Sequence, residues 1–146
     1  FDLKPYQEPS TRLGRKFCRL KEGEEVAGIG ILTGPLKQTI AAVASARGRV
    51  LLCKAEDVTQ LAGPGRGVMV LKLEAHDRII ACSLLFSKDD QLTLLKEDGG
   101  TVPLSAKKYQ IVGRGGKGHS IIKRGRLSGM VPPDLMVPVF PTEGSA

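Results

Sequence analysis

Short apolar runs recur along the chain, and Gly, Asp or Pro separates most of them: "TIAAVA", "RVLLCKA", "VMVLKL", "RIIACSLLF", "QLTLL", "TVPLSA" and "HSIIK". They are too short for independent helices, often β-branched, and bounded by turn-forming residues, so each predicts a β-strand. Only "AEDVTQLAG" could form a helical turn, and its length is marginal. No apolar run approaches the roughly 18 residues of a membrane span. The pattern predicts an all-β chain with no membrane partner.

The runs fall into a repeat. "GRKFCRLKEGEEVAG" from Gly14, "GVMVLKLEAHDRIIA" from Gly67 and "GHSIIKRGRLSGMV" from Gly118 can be laid over one another at spacings of 53 and 51 residues. Each opens on glycine, continues into an apolar stretch and carries a cation at the same place: Arg19, Lys72 and Lys123. The second and third copies share more, because "AGPGRG" before Val68 answers to "GRGGKG" before His119. A unit of about fifty residues holding roughly four strands describes one blade of a propeller-like array. About three repeats of four-stranded blades are therefore expected, as an open arc or as part of a larger ring. The absence of Trp argues against propeller classes that lean on aromatic signatures. Residues 1–131 are assigned to blades and 132–146 to a tail, since the four prolines of "VPPDLMVPVFPTEGSA" forbid regular pairing.

Charge adds a partner to this picture. The 146 residues carry a net charge of +7, and its distribution matters more than its size. Between Lys107 and Arg126 stand seven cations, Lys107, Lys108, Arg114, Lys117, Lys123, Arg124 and Arg126, without one Asp or Glu. A second cluster, Arg12, Arg15, Lys16, Arg19 and Lys21, is acid-free until Glu22. "GRGGKG" satisfies the dinucleotide spacing at Gly113, Gly115 and Gly118, yet the residues after it are strand-like rather than helical, so a dinucleotide site is not expected. A P-loop fails as well, because Lys117 precedes Gly118.

Three glycines around Arg114 and Lys117 instead predict a phosphate clamp, in which bare N–H groups approach the anion and two cations neutralise it. Aromatic residues are scarce, which favours the duplex backbone over stacked single strands. The residues expected to meet DNA are Arg114, Gly115, Gly116, Lys117 and Gly118, with Lys107, Lys108, Lys123 and Arg124 around them. Arg66 and Lys72 of the second repeat and Arg15, Lys16 and Arg19 of the first complete the set. A curved rim of such cations would offset the elastic cost of bending a duplex.

Catalysis has no constellation here. His76 and His119 fall in different repeats and are expected on the surface, and no serine sits in a nucleophile elbow. Cys18, Cys53 and Cys82 lack metal-ligand spacing, and the last two, inside apolar runs, are expected as buried thiols. No catalytic residue, metal or cofactor is expected. A β-rich protein-interaction scaffold and an RNA-binding β-domain are the competing readings. The scaffold gives no reason for the register of Arg19, Lys72 and Lys123.

The segments "RVLLCKAEDVTQLAGPGRGVMVLKL" and "KYQIVGRGGKGHSIIKRG" resemble the C-terminal domain of the A subunit of bacterial type IIA DNA topoisomerases, gyrase and topoisomerase IV. The resemblance runs from about Leu13 to Val131. It implies a β-pinwheel that binds and bends double-stranded DNA around a basic edge. Gyrase carries a box of the form Gln, basic, Arg, Gly, Gly, basic, Gly. Arg114, Gly115, Gly116, Lys117 and Gly118 match its last five places, while Val112 and Gly113 replace the first two. The degenerate box, lying in the last repeat rather than the first, resembles topoisomerase IV more than gyrase.

The resemblance further implies a segment without topoisomerase activity of its own. Its partners would be the ATPase B subunit together with the remainder of the A subunit, in the cytoplasm at the nucleoid. Phe1 at the start, with no signal-peptide pattern, is read as belonging to a segment of a longer cytoplasmic chain.

Overall fold

The run Ile40–Ser45 is apolar at nearly every position rather than at alternate ones, and such a strand must be covered on both faces. The computed structural model, which describes residues 1–8 and 14–132, shows this. Ile40–Ser45 forms β1 and is buried along its whole length. It pairs antiparallel with β2 (Arg49–Lys54) on one side and with β3 (Ile79–Leu85) on the other. The next hairpin, β4 (Gln91–Lys96) and β5 (Thr101–Ser105), is followed by β6 (His119–Ser120) and β7 (Leu127–Met130). No α-helix occurs among the described residues; the expected helical turn after β2 is a three-residue 3-10 turn, Ala55–Asp57.

The strands form two sheets, one ordered β3-β1-β2-β6 and one ordered β5-β4-β7. The three-stranded units β3-β1-β2 and β7-β4-β5 are copies of one another. In both, the outer strand pairs with the first hairpin strand across a bulge, between Ala44 and Ser45 in the first sheet and between Leu95 and Lys96 in the second. Both hairpins turn at a glycine with positive φ whose N–H donates back to the last residue of the entering strand: Gly48 to Ser45 (3.0 Å) and Gly99 to Lys96 (3.1 Å). The fold is the all-β, propeller-like arrangement expected, built of repeated antiparallel sheets.

The core lies between the sheets. Ala42, Ala44, Val50, Leu52 and Ala81 from the first meet Leu92, Leu94, Leu104 and Leu127 from the second. Each leucine so buried stabilises by about 1.5–3 kcal/mol. The opposite face of the first sheet buries Ala41, Val43, Leu51 and Cys53 under Leu71. Alanines in β1 let covering elements approach closely on both sides.

The strand expectations need two corrections. "VMVLKL" is not a strand: it makes a single parallel bridge, Leu71 to Gly116, because its neighbour is a glycine turn that offers one rung before curving away. "HSIIK" pairs only at His119 and Ser120. The first repeat contributes likewise one bridge, Cys18 to Gly65. The proline-rich tail expected from residue 132 lies, beyond Pro132, outside the described residues.

Candidate nucleic-acid interface

The glycine-rich turn is held to its neighbours at nearly every step. Val112 N–H donates to Leu52 O (2.8 Å), Gly115 N–H to Val70 O (2.6 Å), and Ile121 N–H to Gly48 O (3.0 Å). Gly116 O accepts from Lys72 N–H at 2.8 Å. Gly118, at φ 63°, sits so close to β2 that a Cβ there would lie 2.1 Å from Val50 O. Glycine is required by this contact as much as by any ligand. The expected bare backbone is thus in part committed, since the Gly115 N–H already has an acceptor.

Arg114 is committed too. Its Nε donates to Asp57 O at 2.8 Å and its Nη1 to Met69 O at 3.4 Å, so the guanidinium ties the turn to the 3-10 turn after β2 and to the second repeat. It also lies near enough to Cys53 to act on that thiol. Burial pushes the Cys53 thiol up, Asp57 adds to the rise, Arg114 pulls the other way, and Cys82 adds a little. Burial raises Cys82 as well. Cys53 is fully buried as expected, whereas Cys82 and Cys18 are half-buried.

Two of the three residues aligned by sequence, Arg19 and Lys72, make an equivalent backbone bond. Arg19 N–H donates to Gly65 O at 2.9 Å, and Lys72 N–H donates to Gly116 O at 2.8 Å. In each case a cation-bearing residue of one repeat is bonded to the glycine-rich turn of the next. Gly65 and Gly116 are therefore equivalent, as are the residues after them, Arg66 and Lys117. Arg66 is paired with Glu24 (3.2 Å), whereas Lys117 has no acidic partner among the described residues. Lys123, third in the series, is exposed and has no such rung among the described residues.

The remaining expected residues divide. Lys107 forms an ion pair with Asp89, and Lys108 lies over the Tyr109 ring at 5.7 Å. Lys123 and Arg124 share a shallow groove with Lys96, which no local sequence signal marks out. Lys96 ends β4 just before the glycine hairpin turn, and only the sheet register brings it to Lys123. Arg15 donates to Pro5 O, and the Lys16 carbonyl accepts from the Tyr6 hydroxyl at 2.9 Å, so the first cluster is anchored to the short turn at Lys4–Tyr6.

His76 is exposed, but His119 is half-buried on β6 beside Tyr109, its Nε2 without a partner. That corrects the surface expectation for His119: pairing with Val50 draws the residue into the sheet. Among the described residues no group of three or more His, Cys, Asp or Glu side chains comes together, and no helix is long and apolar enough to cross a membrane.

Two like antiparallel sheets, the first joined by β6 and the glycine-rich turn to the repeat that follows it, define a β-pinwheel of the propeller class. Comparisons narrow this further. Residues 42–85 match the family model of the DNA gyrase C-terminal domain, beta-propeller. The chain is 28% identical over 105 residues to the DNA gyrase A subunit of Helicobacter pylori (strain J99), covering 72% of this chain and 12% of the relative. It is 26% identical over 124 residues to the DNA gyrase A subunit of Aminobacterium colombiense, covering 85% and 15%. Only a small part of those curated relatives is thus spanned.

Among solved structures, the C-terminal domain of DNA topoisomerase IV superposes with TM-score 0.59 at 20% identity, over 65% of this chain and 31% of that one. The DNA gyrase A C-terminal domain gives 0.56 at 23% identity, over 75% and 36%. These two likenesses establish the fold. With the sequence matches, they support a C-terminal domain of a type IIA topoisomerase A subunit.

Proposed function

We propose that the chain binds duplex DNA without sequence preference and bends it, as an accessory domain of a type IIA topoisomerase A subunit. The observation that carries this reading is the shared rung. Arg19 and Lys72 leave the backbone at equivalent points beside successive glycine-rich turns, so cations recur at a fixed interval along the stacked repeats. Phosphates are the ligand that a repeating, exposed cation series suits. Lys117, Lys123 and Arg124, with no acidic partner among the described residues, are the contacts we assign first. Arg19, Lys72, Lys108, Lys16 and Arg15 extend the track, and Arg66 and Lys107 would exchange their carboxylate partners for phosphate. Arg114 contributes mainly by fixing the turn that presents Lys117. Gly115, Gly116 and Gly118 let that turn lie against β2.

In the whole enzyme this domain would act on cytoplasmic DNA, beside the ATPase B subunit, with the strand-cleaving part of its own A subunit next to it. Val112 and Gly113 in place of the first two residues of the gyrase box favour bending of the topoisomerase IV kind over full gyrase-type wrapping.

The test is affinity for a random duplex of about 40 base pairs across a salt series. Each lost phosphate contact should flatten the log–log slope by about 0.9. Lys117→Ala with Lys123→Ala should therefore lower it by about 1.8, with the fold intact. An unchanged slope, or no binding at low salt, would remove the proposed function.

A further inference from the structure

The hairpin between β1 and β2 carries two arginines that its turn does not need. Gly48 and Gly99 are counterparts, since each has positive φ and donates its N–H to the residue three places back, just after a bulge. Asp98 and Gly100 then stand where the first hairpin has Arg47 and Arg49. The same backbone turn forms with an acid and a glycine at those places, so folding does not dictate the arginines.

Their backbone is held firmly. Arg47 N–H donates to Asp77 Oδ1 at 3.0 Å, Arg49 N–H to Ser45 Oγ at 3.2 Å, and Arg49 pairs with Ser120 of β6. Bonds from Ile121 N–H to Gly48 O and from Leu127 N–H to Ala46 O extend this contact, so the hairpin tip lies along the residues from Ser120 to Leu127. Arg47 and Arg49 are thereby set beside the segment that carries Lys123 and Arg124, although they stand far from it in the sequence.

Both guanidinium groups face one carboxylate. Glu74 Oε2 lies 3.7 Å from Arg47 Nη1, and Glu74 Oε1 lies 3.5 Å from Arg49 Nη2. A single anion that turns one oxygen to each of two arginines occupies the place a backbone phosphate would take. The contacts are longer than the about 2.7–2.9 Å of a tight charge-assisted bond, and the Glu74 side chain is half exposed, so the pair holds Glu74 only weakly. Asp77 differs from it, because its Oδ1 accepts from the backbone N–H groups of both Arg47 and Arg78. The Glu74 carboxylate has no partner but the two arginines among the described residues.

We propose that Arg47 and Arg49 form a further phosphate site on the duplex track, and that Glu74 is its resident competitor, displaced when a phosphate arrives. The inference rests on the DNA-binding reading above. Exchange of one anion for another weakens binding by the strength of the Glu74 contacts and leaves the number of phosphates bound unchanged.

The test is affinity of the full chain for a random duplex of about 40 base pairs across a salt series. Arg47→Gln/Arg49→Gln should flatten the log–log slope by about 0.9, one phosphate contact. Glu74→Gln should tighten binding about two- to fivefold at unchanged slope, and should do nothing when added to Arg47→Gln/Arg49→Gln. Tightening that persists in that background would mean general repulsion of DNA by Glu74 and would overturn the proposal. So would unchanged affinity of Glu74→Gln alone, a result that counts even if the arginine variant fails to fold. A parent that binds no duplex removes the proposed function and this site together, whereas a parent that binds with the same slope as the arginine variant removes this site alone.

Discussion

Gly118→Ala is the most direct probe of how the glycine-rich turn is held. The new methyl group would stand 2.1 Å from Val50 O, 2.8 Å from the Val50 carbonyl carbon and 3.1 Å from Leu71 Cδ1. The first two are backbone atoms of β2, which is fixed between β1 and β6, so the strand cannot step aside as a side-chain tip could. The residue also has φ 63°, and a left-handed conformation costs an alanine about 1–2 kcal/mol. Overpacking adds about 1–3 kcal/mol. The expected loss is about 2–5 kcal/mol, a large share of the roughly 5–15 kcal/mol that holds a domain folded.

Gly113→Ala supplies the control, because nothing lies within 4 Å of a Cβ there and its φ is not positive. It should stay within about 0.5 kcal/mol of the parent. Urea unfolding followed by circular dichroism reads both, as a shift in midpoint at constant slope. If the two variants unfold within about 0.5 kcal/mol of each other, close seating against Val50 does not hold the turn in place.

Three further outcomes are expected. Arg114→Ala should cost about 1–2 kcal/mol by leaving Asp57 O and Met69 O without their charged donor, and Arg114→Lys should not restore it, since one ammonium cannot reproduce the fork; thermal melting checks both. Both raised thiols contribute stability that is present below the ordinary cysteine value of 9.0 and lost as pH rises through their folded values. Urea midpoints measured at pH 7 and pH 10 should therefore fall further in the parent than in Cys53→Ala/Cys82→Ala. With a thiol reagent at neutral pH, Cys18 should react in the folded chain, while Cys53, fully buried, should react only on unfolding.

Much of this architecture could be read from the chain. The apolar runs placed β1 to β5 within about two residues, because each is bounded by a hairpin glycine or an acidic turn. The alignment of Arg19 with Lys72 by simple counting from Gly14 and Gly67 corresponds to a shared backbone bond, from the N–H of each to a glycine carbonyl of the next turn. What stayed hidden depends on distant partners. β7, "LSGM", has no apolar alternation to mark it, and is a strand because Leu95 and Leu94 face it across the bulge. The engagement of Arg114 with carbonyls 57 and 45 residues away leaves no local trace. Its place in an acid-free basic stretch pointed to phosphate alone. Nor could composition separate Lys117 from Arg66, whose difference is made by Glu24, 42 residues from Arg66.

The entry of β6 into the first sheet has a consequence for how the protein is made. β1, β2 and β3 are all present once residue 85 has left the ribosome, but their fourth strand begins at His119. At about 5–20 residues per second, the β2 edge waits some seconds for its closing strand, with unpaired backbone exposed. The first sheet is thus finished by a strand of the repeat that follows it, and its maturation waits on synthesis beyond its own three strands.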